Sequence, residues 1–221
     1  MTAQSVNAED LATVSKQLET APASKIIRWA IEQFGDSIVL AASFEDIVLI
    51  DLATKVAPRI EVVFLDTEAH FPETLEFVEA TRARYDLNLT VTKPGPEAAA
   101  CPCGSAQCCQ FRKVAPLRQA LAGKKAWLTS LKRSDGPTRA DAPIVSWDGG
   151  FGLVKINPLV TWTGDDISSY LKDHDLPEHP LVSQGYLSIG CAPTTRPVGE
   201  GEDVRAGRWA GLDKSECGLH A

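Results

Sequence analysis

The sequence predicts an α/β protein, a mostly parallel sheet with helices on both faces. Two observations carry this. Short runs of Ile, Val and Leu alternate along the chain with segments of helical period. The run Ser37 to Ala42 shows no polar alternation, as a strand covered on both sides does. At 221 residues, 44% apolar and 23% charged, the chain is long enough for one core of ordinary size. This composition excludes wholesale disorder, collagen and coiled coil.

The elements follow in order. Ser37 to Ala42 reads as a first strand, Ile47 to Val56 as a helix after a short loop, and Ile60 to Leu65 as a second strand. Asp66 and Thr67 then lie beyond a strand's carboxyl end, where open α/β sheets place ligands. Phe71 to Tyr85 is a helix, with Pro72 and Glu73 at its start and Arg82 and Arg84 in its last turn. Leu87 to Val91 is a third strand, and Lys93 to Ala106, rich in Pro, Gly, Ala and Cys, is a loop. A helix from Cys108 to Leu121 is expected to kink or split at Pro116, which cannot donate a backbone bond. Ala126 to Leu131, Ile144 to Trp147 and Leu153 to Ile156 complete the strands, the last two joined through Asp148-Gly149-Gly150. Thr163 to His174 is a helix with an acidic first turn. Residues 1–190 form one domain in this reading, and 191–221, rich in Gly, Arg and Pro, an irregular tail across its surface.

Met1 to Leu18 has one Lys and no continuous apolar core, unlike a secretory signal. The longest apolar stretches run four or five residues, against roughly 20 for a bilayer span. A soluble, cytoplasmic protein with no membrane partner is the expectation. In a reducing compartment its six cysteines point to metal ligands or catalytic thiols rather than disulfides.

Charge is unevenly spread. Ser105 to Ala140 holds eight basic residues and one acid, a local +7 in a chain of net −7, so the remainder carries −14. A basic island on an acidic body suits a small polyanion, and no nucleic acid is expected as a partner. Arg112, Lys113, Lys132 and Arg133 are the strongest candidates, because they flank cysteines or a strand end. Adjacent Cys108 and Cys109, at a helix start beside Arg112 and Lys113, are expected to be drawn toward thiolate and to need a cation. Zinc or an iron-sulfur cluster would supply it, with Cys101, Cys103 and Cys191 as further ligands. Cys217 lies apart, in a polar segment suited to carrying a reactive thiol.

Five ordered blocks carry a resemblance. They are Phe64-Leu65-Asp66-Thr67 with His70-Phe71; Cys108-Cys109-x-x-Arg112-Lys113-Val114-x-Pro116-Leu117; Ser188-Ile189-Gly190-Cys191; Gly201-Glu202-Asp203-x-Arg205-x-Gly207-Arg208-Trp209; and Glu216-Cys217-Gly218-Leu219-His220. Over roughly residues 25–220 the chain resembles the assimilatory adenylyl-sulfate (APS) reductases and their phosphoadenylyl-sulfate (PAPS) relatives. The resemblance implies an adenine-nucleotide hydrolase fold of the pyrophosphatase-loop type, with the nucleotide over the carboxyl edge of the sheet. It makes Cys217 the nucleophile on the sulfur of APS, forming a thiosulfonate and releasing AMP. Thioredoxin or a similar dithiol would then release sulfite. Arg205 and Arg208 would bind the phosphosulfate, Lys113 and Arg133 would ease the approach of thiolate to dianion, and His220 would orient phosphate or assist deprotonation. In Ala42-Ser43-Phe44-Glu45-Asp46 two carboxylates stand where the ATP-using relatives have a glycine-rich cradle, which disfavours ATP and leaves Ser43 as the nucleotide contact.

The resemblance also implies a 4Fe-4S cluster, usually with Cys-x-x-Cys at its third and fourth ligand positions. This chain reads Cys191-Ala192-Pro193-Thr194 there, one thiolate short. The cluster is absent, is held by three cysteines, or takes its fourth ligand from the loop Cys101-Pro102-Cys103-Gly104. The last is the expectation, with Cys103 joining Cys108, Cys109 and Cys191. Beside the APS reductase reading stand a PAPS reductase and, from another class, a metal-bound nucleotide-binding module or RNA-thiolation partner.

Overall fold

The computed structural model describes residues 8–212, 214 and 216–219. Six strands form one sheet: β1 (Ile38–Ala42), β2 (Glu61–Leu65), β3 (Asn88–Thr92), β4 (Ala126–Leu128), β5 (Val145–Asp148) and β6 (Leu153–Ile156), in spatial order β3-β2-β1-β4-β6-β5. All neighbours pair in parallel except the edge strand β5, which returns antiparallel to β6 through a tight turn. The sheet is therefore mostly parallel, as the hydrophobic runs require.

Alternation along each strand divides the core. Leu40, Val62, Leu128 and Ile156 share one face, sealed by α1 (Ala8–Leu18), α2 (Ala23–Phe34), α3 (Val48–Val56), α4 (Pro72–Tyr85) and α6 (Gly164–Asp173). Val39, Val63, Trp127 and Leu153 point the other way, onto Leu117 and Leu121 at α5 (Ala115–Ala120) and onto Leu219 near the chain's end. Helices thus cover both faces, but the second face has a single short helix and borrows a residue of the tail. The α6 start is a capping box: the Asp166 amide donates to Thr163 Oγ1 at 3.2 Å, and the Thr163 amide donates back to Asp166 Oδ2 at 2.7 Å.

Four features differ from expectation. Helices α1 and α2 precede the first expected element. Leu11 and Leu18 of α1 are buried, and Ser15 Oγ accepts the amides of Ile144 and Val145 at 3.0 and 3.3 Å, so the helix closes over the edge strand. Strand β4 stops at Leu128 rather than Leu131, because the Leu131 amide turns back to Thr129 Oγ1 at 3.1 Å and aims the following residues over the sheet's rim. Pro116 causes no break; a π-helical turn over Gln110–Val114 widens the helix where the proline ring meets the preceding carbonyls, and α5 continues from it. Finally, the segment after Cys191 is packed rather than merely draped. Thr195 bridges Arg208 in antiparallel fashion, the Trp209 amide donates to the Thr194 carbonyl at 2.8 Å, and Trp209 is buried. Among the described residues no helix is long and apolar enough to cross a membrane.

Candidate active site

The chain runs outward from β1 to β2 and β3, then returns to β4 on the other side of β1. The carboxyl ends of β1 and β4 therefore diverge, and a cleft opens at this switch point. Its inner part is apolar, lined by Ala41, Phe64, Leu117, Trp127 and Leu219. Its outer part is cationic, with Lys113, Lys132, Arg139, Arg205 and Arg208 on the wall. Ser43, His70 and Ser130 border both. The His70 ring lies 5.0 Å from that of Phe64, and its Nε2 is 2.9 Å from the Leu65 carbonyl, which holds the ring beside the cleft. A flat apolar slot next to a cationic rim is the arrangement an adenine nucleotide needs.

Local packing explains how the cations reach the rim. Arg208 Nη1 donates to Ser188 Oγ at 3.1 Å and to the Ile189 carbonyl at 3.3 Å, and its guanidinium lies 4.8 Å from the Trp209 ring. A Cβ at Gly190 would stand 2.6 Å from the guanidinium carbon, so a side chain there would push the Arg208 head out of this seat. Gly207 is held against backbone instead, a Cβ there falling 2.1 Å from the Arg196 carbonyl oxygen. Glycine at 207 is thus a steric requirement of the turn that carries Arg208, and glycine at 190 leaves the arginine its room. Lys132 pairs with Asp135 at 3.2 Å. Burial alone would lower its pKa, but Asp135, Asp46 and Glu45 outweigh burial and hold it above the usual lysine value. Arg205 moves the other way, lowered by burial and by repulsion from Arg139 and Arg208. Glu45 is raised by burial despite Arg208 and Lys132 nearby. A cleft whose arginines repel one another gains from an anion.

Cys217 is half-buried and lines the cationic part of this cleft. Of the other thiols, Cys103, Cys108 and Cys191 come together. Cys103 hydrogen-bonds to Cys191, which holds the Cys191 thiol low and pushes that of Cys103 up, and Cys103 also contacts Cys108. Cys191 Sγ is 3.5 Å from Thr67 Oγ1. Cys109 faces away from this group and accepts from Lys214 Nζ at 3.2 Å. Its pKa is raised, because burial outweighs Lys113 and Lys214, so the expected pull toward thiolate at a helix start does not hold there. Cys101 pairs with Ser105 Oγ at 2.9 Å. Among the described residues no three His, Cys, Asp or Glu side chains are grouped to hold a single metal ion.

Of the residues singled out in the sequence, Ser43, Lys113, Arg205, Arg208 and Cys217 border the cationic cleft, and buried Thr67 borders its apolar part. Three do not reach it. Arg112 donates to the Thr67 carbonyl at 2.8 Å and the Ala98 carbonyl at 2.9 Å, bracing the loop after β2 instead. Arg133 is turned to the protein's flank, where its guanidinium pairs with Glu19 and donates to the Ala142 carbonyl at 2.9 Å; its neighbour Lys132 faces the cleft instead. Asp66 accepts the Glu68 amide at 2.9 Å and pairs with Lys93 at 3.4 Å, shaping the turn after β2. His220 lies outside the described residues. The sequence reading passed over Arg139, His70 and Leu219 as cleft residues. His70 and Leu219 stood inside the recognised blocks, whereas nothing local set Arg139 apart from other exposed cations.

A phosphoadenosine phosphosulfate reductase domain is recognised over residues 37–197, which contain the whole sheet. The chain belongs to the phosphoadenosine phosphosulfate reductase family. An adenosine 5'-phosphosulfate reductase of Mycobacteroides abscessus is 45% identical over 216 residues, covering 93% of this chain and 90% of that relative. The phosphate complex of phosphoadenylyl-sulfate (PAPS) reductase from Candida auris superposes with a TM-score of 0.74 at 25% identity, covering 88% of this chain and all of that one. A Candida glabrata FMN adenylyltransferase bound to FAD and pyrophosphate shares the fold at a TM-score of 0.63 and 17% identity, over 89% of this chain and 69% of that one. Membership in this reductase family agrees with the α/β architecture and with a cleft fitted to an adenine nucleotide carrying further negative charge.

Proposed function

We propose that the protein reduces adenylyl sulfate to sulfite and AMP in sulfate assimilation, with Cys217 as nucleophile. The observation that carries this is a thiol facing a cation-lined cleft at the sheet's switch point. The apolar slot takes adenine, and Arg205, Arg208 and Lys113 take the phosphosulfate. The Cys217 thiolate attacks the sulfur of the sulfate group; a sulfur–sulfur bond forms, the bond from sulfur to the phosphate oxygen breaks, and AMP leaves with that electron pair. A dithiol such as thioredoxin then attacks Cys217 Sγ, sulfite departs with the sulfur–sulfur bonding pair, and the second thiol displaces Cys217 from the mixed disulfide. The sulfate sulfur gains two electrons and the dithiol loses them. The cytoplasm, with its dithiol pool, is the proposed location. Ser43 and His220 are proposed contacts to the nucleotide.

APS is favoured over PAPS because Glu45, Asp46 and Asp135 also border the cleft, where a further phosphate would meet carboxylates. The name of the Mycobacteroides relative supports the same choice.

A 4Fe-4S cluster is proposed on Cys103, Cys108, Cys109 and Cys191. Three donors fit as they stand, since Cys103 contacts both Cys108 and Cys191, whereas Cys109 would have to leave Lys214 and turn toward them to complete the set. Thr194 stands where the family's remaining ligand is expected, and the loop bearing Cys103 packs against it: a Cβ on Gly104 would be 3.0 Å from Thr194 Cγ2. Bound there, a cluster would supply the positive counter-charge that gathered cysteine thiolates require.

One experiment tests both parts. Anaerobically purified protein is incubated with APS or PAPS without reductant, and the C-terminal peptide is weighed. An SO₃ adduct on Cys217 is expected with APS, less with PAPS and none in Cys217→Ser; a wild-type peptide without it refutes the reaction. Iron and sulfide assays of the same preparation should fall sharply in Cys103→Ser, and unchanged content would reject Cys103 as a ligand.

A further inference from the structure

The residue before the nucleophile is a carboxylate held by three hydrogen bonds and an ion pair. Glu216 Oε1 accepts from Arg139 Nε at 2.8 Å and Oε2 accepts from Arg139 Nη2 at 2.8 Å, a two-point fork. Thr138 Oγ1 adds a third bond at 3.1 Å, and Arg205 stands 3.7 Å from Oε2. Arg139 is itself buried, 9% exposed, and its remaining arm donates to Asp135 Oδ2 at 2.9 Å. Asp135 in turn holds Lys132. Charges therefore alternate in one chain along the cleft: Lys132, Asp135, Arg139, Glu216, Arg205. Two residues beyond Cys217, Leu219 packs against the second face of the sheet with Leu117 and Trp127. Cys217 hangs between an ionic anchor on one side and an apolar anchor on the other.

We propose that Arg139 is a positioning residue that acts through Glu216, clamping the tail so that Cys217 Sγ is held over the sulfur of the bound nucleotide. This rests on the reaction proposed above and adds the element that aims its nucleophile. Arg139 is not a substrate ligand in this scheme, because Nε, Nη1 and Nη2 are all committed to protein carboxylates. The clasp also explains how an acid can stand beside a reactive thiol. Burial would raise Glu216, but Arg139 and Arg205 overcome it and keep the carboxylate below its usual pKa, so its negative charge is matched by arginine. The clasp is polar and partly open to solvent, so the same joint can part when a dithiol must reach the modified sulfur.

The test is single-turnover formation of the Cys217 SO₃ adduct from APS, read by mass spectrometry, alongside AMP affinity by calorimetry. Arg139→Ala and Glu216→Ala should each slow adduct formation about 100-fold, the order expected when a nucleophile is displaced by about 1 Å. AMP affinity should change less than about threefold in both. Arg139→Lys, which keeps the charge and gives up the fork, should fall between Arg139→Ala and wild type. The double variant Arg139→Ala/Glu216→Ala should be slowed far less than the product of the two single losses, because the fork is the contact they share. Additive losses, or AMP affinity falling in step with the rate, would overturn the proposal and make Arg139 a substrate ligand. If Arg139→Ala does not fold, Glu216→Ala alone decides, and an unchanged adduct rate overturns the clasp. A wild-type protein that forms no adduct refutes the reaction itself, a result distinct from any difference among the variants.

Discussion

Gly207 governs how two arginines enter the cleft. Its backbone lies so close to the Arg196 carbonyl that a methyl group would fall 2.1 Å from the oxygen, and neither side is a flexible chain end that could yield. The Arg196 amide donates to the Gly207 carbonyl at 3.0 Å, tying the return segment that carries Arg208 and Trp209. Gly207→Ala should therefore destabilise the protein by about 1–3 kcal/mol, as overpacking typically does, and weaken AMP binding as Arg208 shifts. Urea unfolding and calorimetry measure the two effects, and a variant with wild-type affinity would mean that this pairing does not place Arg208. Arg133 and Lys132 show the limit of reading at this scale. Both flank a strand end in the sequence, but a turn sends them in opposite directions, one to Glu19 and one to the cleft. Which of two adjacent cations faces a ligand is decided by a backbone turn that composition does not specify.

Elements are joined by one buried polar knot. Asp51 on α3 accepts from Tyr85 of α4 at 3.0 Å and from Tyr170 of α6 at 2.7 Å, and pairs with Lys55 at 2.6 Å. Burial would raise the Asp51 pKa, but Lys55, Tyr170 and Tyr85 prevail and hold it below the usual value. A carboxyl lowered in the folded state contributes stability that is fully present above its unfolded pKa of about 4 and is lost as pH falls through the folded value. Stability should therefore drop below about pH 4, and Asp51→Asn should be less stable at neutral pH with a shallower acid slope. Thermal unfolding across that range checks it, and parallel curves for the two proteins would contradict it. At the alkaline end Tyr85, pushed up to about 12 by burial and by Asp51, contributes stability that is fully present below its unfolded pKa of about 10 and is lost as pH rises from there through the folded value. The α4 and α6 helices were legible from their ends, Pro72 and Glu73 before Arg82 and Arg84 in one and an acidic first turn in the other. The α2 helix was passed over although Ala23, Ile26, Ile27 and Ala30 recur at helical spacing on its buried face, whereas part of the α1 contact is a serine bond to the edge strand that no period displays.

At the scale of the whole molecule, a chain of net −7 presents a cleft rimmed by arginine and lysine. The acidic body repels long polyanions, while the focused positive rim draws a small one. Association of the nucleotide should consequently slow as salt is raised from low to physiological strength, since the rim's reach shrinks with the Debye length. Stopped-flow binding of a fluorescent AMP analogue measures this, and a salt-independent rate would show that the apolar slot alone drives capture.

The sequence by itself determined the layered sheet, the strand ends that carry the cleft and the blocks that mark the family, because hydrophobic runs, turn residues and charges at helix ends are local constraints. Tertiary structure alone decided that the loop of Cys103 meets Cys191 and Thr194, that Arg133 leaves the cleft, and that Arg139 closes on Glu216. These are contacts across tens of residues. No local propensity encodes them, because they exist only once the sheet's return past β1 brings distant loops to one edge.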